Sequence, residues 1–360
     1  MLKILVIGNG FDLSHGLATK YSDFLNFMKL FTDTAFSNEK EASDLYNLTD
    51  EDADDEIRAL RKKVYEHTIE LNHQSFPSIP KENLTFLFSC GRNNSLVRYF
   101  RLKAKRMNGQ SHWVDFEKEL ENIISDYGRF FRDAKQFPLK FEYQSVWGEK
   151  NNKTAFWGKI KRDLEKLRGC LAIYLKYCLD YSSISSYPSE IYNQNFDRLL
   201  SFNYTNTYNI VAESLSRPLI TGENAHYIHG SVDGNSLDSS DNIVLGIQNI
   251  EPENFEIIYF KKVFQRFQKH TGINYANWLN EDSEKTVTFF GHSLDETDGD
   301  VIRKLVNSSS HVTVYYHSQS DYEHKVINLM RIFSVDGFES ICYNDRKFSF
   351  EPISEDVKVT

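Results

Sequence analysis

No apolar run in this sequence is long enough to cross a bilayer, and the N-terminal residues carry no charged leader, signal-peptide core or cleavage site. Cysteine is scarce. Cys90, Cys170, Cys178 and Cys342 form no C-x-x-C pair, which argues against a structural zinc ribbon. Basic residues are not in excess either: 42 Lys and Arg stand against 51 Asp and Glu, a net charge of −9. That balance argues against a bulk electrostatic grip on nucleic acid or anionic lipid and leaves only local basic faces. Internal repeats and low-complexity segments are lacking. Together these absences point to a soluble protein of a reducing cytoplasm.

What is present supports a sizeable core. Hydrophobic residues make up 40% of the 360, and 27 Phe with 20 Tyr supply packing and surfaces for stacking on flat ligands. At the start of the chain Leu2, Ile4, Leu5, Val6 and Ile7 read as a strand buried on both faces. Gly8-Asn9-Gly10 follows and reads as a tight turn with positive φ, open to close approach by a ligand, with a helix from about Ser14. Strand, glycine turn and helix make a nest of N–H groups suited to a phosphate or another anion. A plain strand-to-helix turn that needs glycine for steric reasons accounts for the same residues equally well. The dinucleotide fingerprint G-x-G-x-x-G lacks its third glycine, Leu13 standing there, and Gly16 comes three residues late.

From about residue 31 to 190 the pattern is mostly helical. Phe24 to Phe36 and residues 156–181 carry apolar residues at helical spacing. The acidic run Asp50 to Glu56 reads as a solvated loop or helix start, the two prolines of 74–83 as a break, and Arg98 to Arg106 as a helix with a wet basic face. From Ser111, an N-cap type, Trp113, Phe116, Leu120, Ile123 and Ile124 form an apolar stripe. Glu117 projects among them, with Asp115 to one side. A carboxylate on such a stripe must pair with a core Arg or belong to a site.

Strands then alternate with helices again. RLLSF, HYIHGS from His226, NIVLGIQN from Asn242, the run from Thr286, HVTVYYH from His311 and a segment near 340–350 read as strands. Phe255 to Leu279 reads as helix with Lys261, Lys262, Arg266 and Lys269 on a basic face, and 322–333 as another helix. The expected architecture is α/β: a doubly wound, mostly parallel, Rossmann-like sheet from residues 1–30 and 195–360, with 31–194 as a large helical insertion contributing to the site. Ligands of such sheets sit outside the carboxyl ends of the strands. Those ends carry Gly8-Asn9-Gly10, Asn203, His229 and Gly291-His292-Ser293, and their convergence on one edge marks a site.

GNGFDLSHGL-x-T-x-YSDF, WVDFE, SFNYTNT, YIHG, YFKKVFQRFQKHTG and FFGHSLDETD, in this order, resemble the bacteriophage abortive infection AbiH family over nearly the whole chain. The resemblance implies an antiviral defence protein of the bacterial cytoplasm. A more distant similarity is to sirtuin-like domains. Gly8-Asn9-Gly10-Phe11-Asp12 resembles their opening G-A-G-x-S, with Gly16, Asp23 and Phe24 in the same loop. Ser201-Phe202-Asn203-Tyr204-Thr205 resembles T-x-N-x-D, His229-Gly230 resembles H-G, and Gly291-His292-Ser293-Leu294-Asp295 resembles G-x-S-x-x-D, with Asp298 and Asp300 following. That second resemblance implies binding of NAD and hydrolysis of its nicotinamide N-glycosidic bond, with NAD as substrate and no required cofactor. Asn203 would orient water and the nicotinamide ribose, His229 would act as general base or hold the ribose hydroxyls, and the Gly8–Gly10 turn with Phe11 would cradle the pyrophosphate.

Three departures stand out. Asp12 replaces the sirtuin Ser, and an anion there repels pyrophosphate unless it turns away or takes the ribose. Thr205 replaces the Asp of the Asn motif. The zinc module is missing, which argues against peptide deacylation. The expected catalytic residues are Asn203, His229 and Asp12, and the expected nucleotide-binding residues are Gly8, Asn9, Gly10, Phe11, Gly291, His292, Ser293 and Asp295. Trp113, Asp115, Glu117, Tyr204, Asp298 and Asp300 are further candidates. An alternative is a metal-dependent nuclease in which Asp12, Glu117, Asp295, Asp298 and Asp300 hold Mg²⁺; another is a non-catalytic nucleotide sensor. The expected partners are NAD or a related nucleotide, a phage-derived trigger and further copies of the chain, with no membrane.

Overall fold

The computed structural model describes residues 1–29, 31, 79–106, 117, 119–124, 153–232, 242–247, 255–271, 274–354 and 357–358. The acidic run 50–56, the first half of the proline-containing break and the stretch with Trp113, Asp115 and Phe116 lie outside them. The described chain divides into two compact units, Met1–Leu17 with Tyr181–Asn235 and Arg266–Thr360, and Ala18–Asp180 with Ser236–Gln265.

The first unit is built on a six-stranded sheet. Its strands are β1 (Leu2–Ile7), β3 (Arg198–Ser201), β4 (Ala225–Tyr227), β5 (Lys285–Phe290), β6 (His311–Tyr316) and β7 (Phe348–Pro352), in spatial order β4-β3-β1-β5-β6-β7. Every neighbouring pair is parallel. A separate antiparallel pair joins β2 (Ser186–Tyr187) to β8 (Val357–Lys358). Counted along the chain, the strands of the large sheet stand in the order 3-2-1-4-5-6, so the winding reverses between β1 and β5.

β1 is apolar apart from Lys3 because it lies inside the sheet with packed side chains on both faces. Ile4 and Val6 point to one face, where they join Val287, Phe289, Val312 and Val314 against Leu305 and Leu329. Leu5 and Ile7 point to the other, with Phe11, Ile191, Leu199, Tyr208, Val211 and Phe290. The covering helices include α1 (Asn9–Ser14), α6 (Ser189–Tyr192) and α7 (Thr207–Ser214) on the second face. On the first lie α9 (Tyr275–Leu279), α10 (Gly299–Ser308), α11 (Gln319–Phe333) and α12 (Val335–Tyr343). The segment expected as a strand near 340–350 is thus the end of α12 followed by β7.

The second unit is mainly helical where described, with α2 (Tyr21–Lys29), α3 (Lys81–Asn93), α4 (Ser95–Arg106) and α5 (Lys153–Tyr177). Phe24, Phe27, Phe31, Phe88 and Tyr174 are buried in it, and the Tyr174 hydroxyl donates to the Ala18 carbonyl at 2.8 Å. Asn94 starts α4 by accepting from the N–H groups of Leu96 and Val97.

NIVLGIQN departs from expectation. Residues 243–246 form no strand, and Ile247 makes only an isolated bridge to Lys261. Its β-like apolar run is satisfied by a side chain instead of a neighbouring strand. The Gln265 amide accepts from Leu245 N–H at 2.9 Å and donates to the Leu245 and Tyr259 carbonyls at 3.0 Å. Arg168 in turn donates to the Gln265 oxygen.

The long helix expected from Phe255 to Leu279 is broken into a short 3-10 segment, α8 (Lys262–Gln268) and α9, with His270 at φ +53 after α8. α8 is amphipathic in the inverted sense. Lys262, Gln265 and Arg266 are buried, whereas Val263 is 55% and Phe267 78% exposed. The expected basic face is therefore largely an interior one.

Candidate functional site

The carboxyl edge of the first unit's sheet begins with the junction of β1 and α1. Gly8 is extended at φ −126 and directly precedes the helix, so α1 starts at Asn9, five residues before the sequence pattern suggested. The positive φ lies elsewhere: at Gly16 (+77), which ends α1 in the manner of a left-handed cap, and at Gly291 (+65). Gly8 and Gly10 answer to sterics. A Cβ on Gly8 would lie 2.7 Å from His292 Cα, and one on Gly10 2.8 Å from Gly291 Cα.

The two glycine turns after β1 and β5 thus pack backbone to backbone, and Gly10 N–H donates to the Gly291 carbonyl at 2.8 Å. Gly8 N–H donates to Phe290 and Phe11 N–H to Gly8. These three N–H groups, expected to cradle an anion, are all engaged within the protein. Phe11 is fully buried and packs on Phe290, His15, Tyr192 and Tyr208, so its ring belongs to the core.

Asn203 lies just beyond β3 and its Nδ2 donates to the Gly8 carbonyl at 2.9 Å, tying the two strand ends together. Beside it Thr205 Oγ1 donates to Asp12 Oδ2 at 2.6 Å, and Thr207 Oγ1 donates to Thr205 Oγ1 at 3.1 Å. Asp12 is buried, and its Oδ1 has no hydrogen-bond partner among the described residues. Loss of solvation raises its carboxyl to about 6, against the hydrogen bonds from Thr205, Thr207 and Asn203. One turn on, His15 is held neutral: burial lowers it to about 4, and Nδ1 donates to the Phe11 carbonyl at 2.6 Å.

A second group gathers beyond β4 and β5. His229 Nε2 stands 3.3 Å from Asp298 Oδ1, and His292 Nε2 stands 3.8 Å from Asp298 Oδ2. Leu294 N–H donates to His292 Nδ1 at 2.9 Å, which puts the proton of the neutral ring on Nε2, facing Asp298. Phe202 wedges edge-on between the imidazoles, with ring centroids 5.4 Å from His229 and 4.3 Å from His292. Arg266 closes the group, reaching Asp300 at 3.1 Å, Asp298 at 3.4 Å and His229 Nε2 at 3.5 Å.

The sequence reading missed Arg266 as a site residue because a buried basic face has the same spacing as a wet one. The exposed Val263 and Phe267 offer a signal only in hindsight. Phe202, Thr207 and His15 were missed as well, being ordinary core and turn residues by pattern.

The remaining candidates are more scattered. Tyr204 is half-buried, its ring 6.3 Å from His229, and its carbonyl accepts from Val232 N–H. Asp295 caps the turn 296–298 by accepting from Thr297 N–H, and Ser293 is exposed, its carbonyl accepting from Asn328. Asn9 is half-buried at the start of α1. Glu117 belongs to the second unit and pairs with buried Lys262 at 2.8 Å, so its partner is a lysine and not the expected core arginine. Trp113 and Asp115 fall outside the described residues.

Among the described residues no group of three or more His, Cys, Asp and Glu is arranged to hold a metal ion. The carboxylates that a Mg²⁺ site would need do not fit one. Asp298 and Asp300 converge on the Arg266 guanidinium, which occupies the position a cation would take.

Among the described residues no helix is long and apolar enough to cross a membrane. No curated protein and no solved structure matches the chain. A family model described as "Bacteriophage abortive infection AbiH" matches residues 4–317, and that span takes in the β1–α1 junction, the Asn203 and His229 loops and the Gly291 turn. With most of its length inside that match, the chain belongs to the bacteriophage abortive infection AbiH family.

Proposed function

We propose that this protein acts in abortive infection as an NAD glycohydrolase, binding the nucleotide at the carboxyl edge of the parallel sheet and cleaving its nicotinamide N-glycosidic bond. The observation that carries the reading is topological. The strand order 3-2-1-4-5-6 is that of Rossmann-type dinucleotide-binding sheets, and the loops after β1, β3, β4 and β5 bring Asp12, Asn203, His229 and His292 to one edge of it.

The chemistry needs little apparatus. Water attacks the anomeric carbon, the C–N bond breaks and its electrons leave with nicotinamide as a neutral molecule. The ribose centre passes through an oxocarbenium-like state. One proton of the water must be taken up, and this reading assigns that to His229, whose Nε2 lies 3.3 Å from Asp298. Asn203 has one amide hydrogen committed to Gly8, and its oxygen remains the natural group to orient the water or the ribose. The edge residues Asn203, His229 and His292 are all buried.

Purified protein, with and without lysate of phage-infected cells, is expected to release nicotinamide from NAD. Asn203→Ala and His229→Ala should each lower the rate by about 100-fold or more. Urea midpoints are measured alongside, because Asn203 also ties β3 to β1. Undiminished release by both variants, or no release by the parent protein under any trigger, would remove the assignment.

A further inference from the structure

We infer that Asp12 accepts a hydrogen bond from a ribose hydroxyl of the bound nucleotide, so that the β1–α1 junction reads the sugar and not the pyrophosphate. The inference rests on the nucleotide reading above and names what that site recognises. Its first support is an unmatched acceptor. Thr207 donates to Thr205 and Thr205 to Asp12 Oδ2, a line of hydroxyls ending on the carboxylate, while Oδ1 is enclosed with no partner among the described residues. Buried acceptors left unpaired are costly, and a donor that arrives with a ligand recovers that cost.

The second support weighs against the anion alternative. The N–H groups of Gly8, Gly10 and Phe11 already serve Phe290, Gly291 and Gly8. A phosphate would therefore meet a carboxylate where the fingerprint of dinucleotide sites offers amides. The depressed solvation that holds the carboxyl near 6 leaves it ionised in most molecules at neutral pH, and an ionised acceptor repels phosphate and attracts hydroxyl. The carboxamide N–H₂ of nicotinamide is also a neutral donor, so the test must separate the two.

Titration calorimetry on the full chain at neutral pH uses ADP-ribose, nicotinamide and inorganic pyrophosphate as probes. ADP-ribose is expected to bind the parent protein and to lose about 10- to 100-fold in affinity with Asp12→Asn, the strength of a hydrogen bond to a charged acceptor. Thr207→Val, which keeps the carboxylate but removes one of the hydrogen bonds around it, should lower the affinity by less than Asp12→Asn does.

A second arm is independent of folding. On the parent protein, at least one ADP-ribose analogue lacking a single ribose hydroxyl should bind about tenfold or more weakly. Equal binding of ADP-ribose and all such analogues, or unchanged affinity in Asp12→Asn, overturns the inference while leaving the nucleotide reading in place. A loss confined to nicotinamide overturns it in favour of the carboxamide, and pyrophosphate binding as tightly as ADP-ribose overturns it in favour of the anion. No binding of any probe to the parent protein overturns the nucleotide reading itself, and the inference with it.

Discussion

Gly291→Ala is expected to destabilise the first unit by about 4 kcal/mol or more, a large part of the stability of an ordinary domain. Two costs add. Gly291 has φ +65, where an alanine is disfavoured by about 1 kcal/mol. The larger cost is steric, since the new Cβ would lie 2.1 Å from Phe11 N and 2.5 Å from Gly10 C. Both atoms are backbone at the β1–α1 junction, so no side chain can swing away. Relief requires the turns after β1 and β5 to part, which breaks the bond from Gly10 N–H to the Gly291 carbonyl.

Gly222 provides the control. Its φ is +62 and nothing lies within 4 Å of an added Cβ, so Gly222→Ala should carry only the conformational cost of about 1 kcal/mol. Urea midpoints of the two variants separate the terms. Equal midpoints would mean that the two turns do not approach as closely as described.

The second large effect is a pair of opposite pH dependences carried by one short helix. Asp12 has a folded pKa of about 6 against an ordinary value of 3.8. The folded state then holds its proton more tightly than the unfolded chain does. The stability this contributes is complete below 3.8 and is lost as pH rises through 6, about 3 kcal/mol in all. His15 has a folded pKa of about 4 against 6.5. Its contribution is complete above 6.5 and is lost as pH falls through 4, again about 3 kcal/mol. Across the same window the two slopes nearly cancel.

Asp12→Asn removes the first slope. Its stability relative to the parent should therefore improve by about 3 kcal/mol between pH 4 and pH 7. His15→Asn removes the second, and its stability relative to the parent should improve by a similar amount, about 3 kcal/mol, from pH 7 down to pH 4. Urea unfolding of the parent and both variants at several pH values provides the check, with groups common to all three dropping out of the differences. Parallel curves for the three proteins would show that neither side chain is buried as described.

Much of the sheet was legible in the residues. β1 at Leu2–Ile7 and β3 at Arg198–Ser201 announce themselves by short apolar runs, because a strand covered on both faces has little polar side to display, and β5 and β6 by Val alternating with Thr ahead of paired aromatics. NIVLGIQN failed by the same rule. Its apolar run is just as continuous, but its backbone partner is the Gln265 side chain, which no strand pattern can encode. The basic face of Phe255–Leu279 failed for the converse reason. Burial of Lys262 and Arg266 depends on Glu117, Asp298 and Asp300, which are remote in sequence.

The site divides along the same line. The sequence alone determined that the ends of β1, β3, β4 and β5 carry Gly8, Asn203, His229 and Gly291, since strand ends and glycine turns are local properties of the chain. Only the tertiary structure decided what those groups face: that Gly8 and Gly10 admit the backbone of Gly291-His292, that Asp298 orients two histidines under the charge of Arg266, and that Asp12 is enclosed with one oxygen unmatched. Each of these is a contact between segments far apart along the chain. Its energy depends on burial and partner geometry, which spacing does not carry.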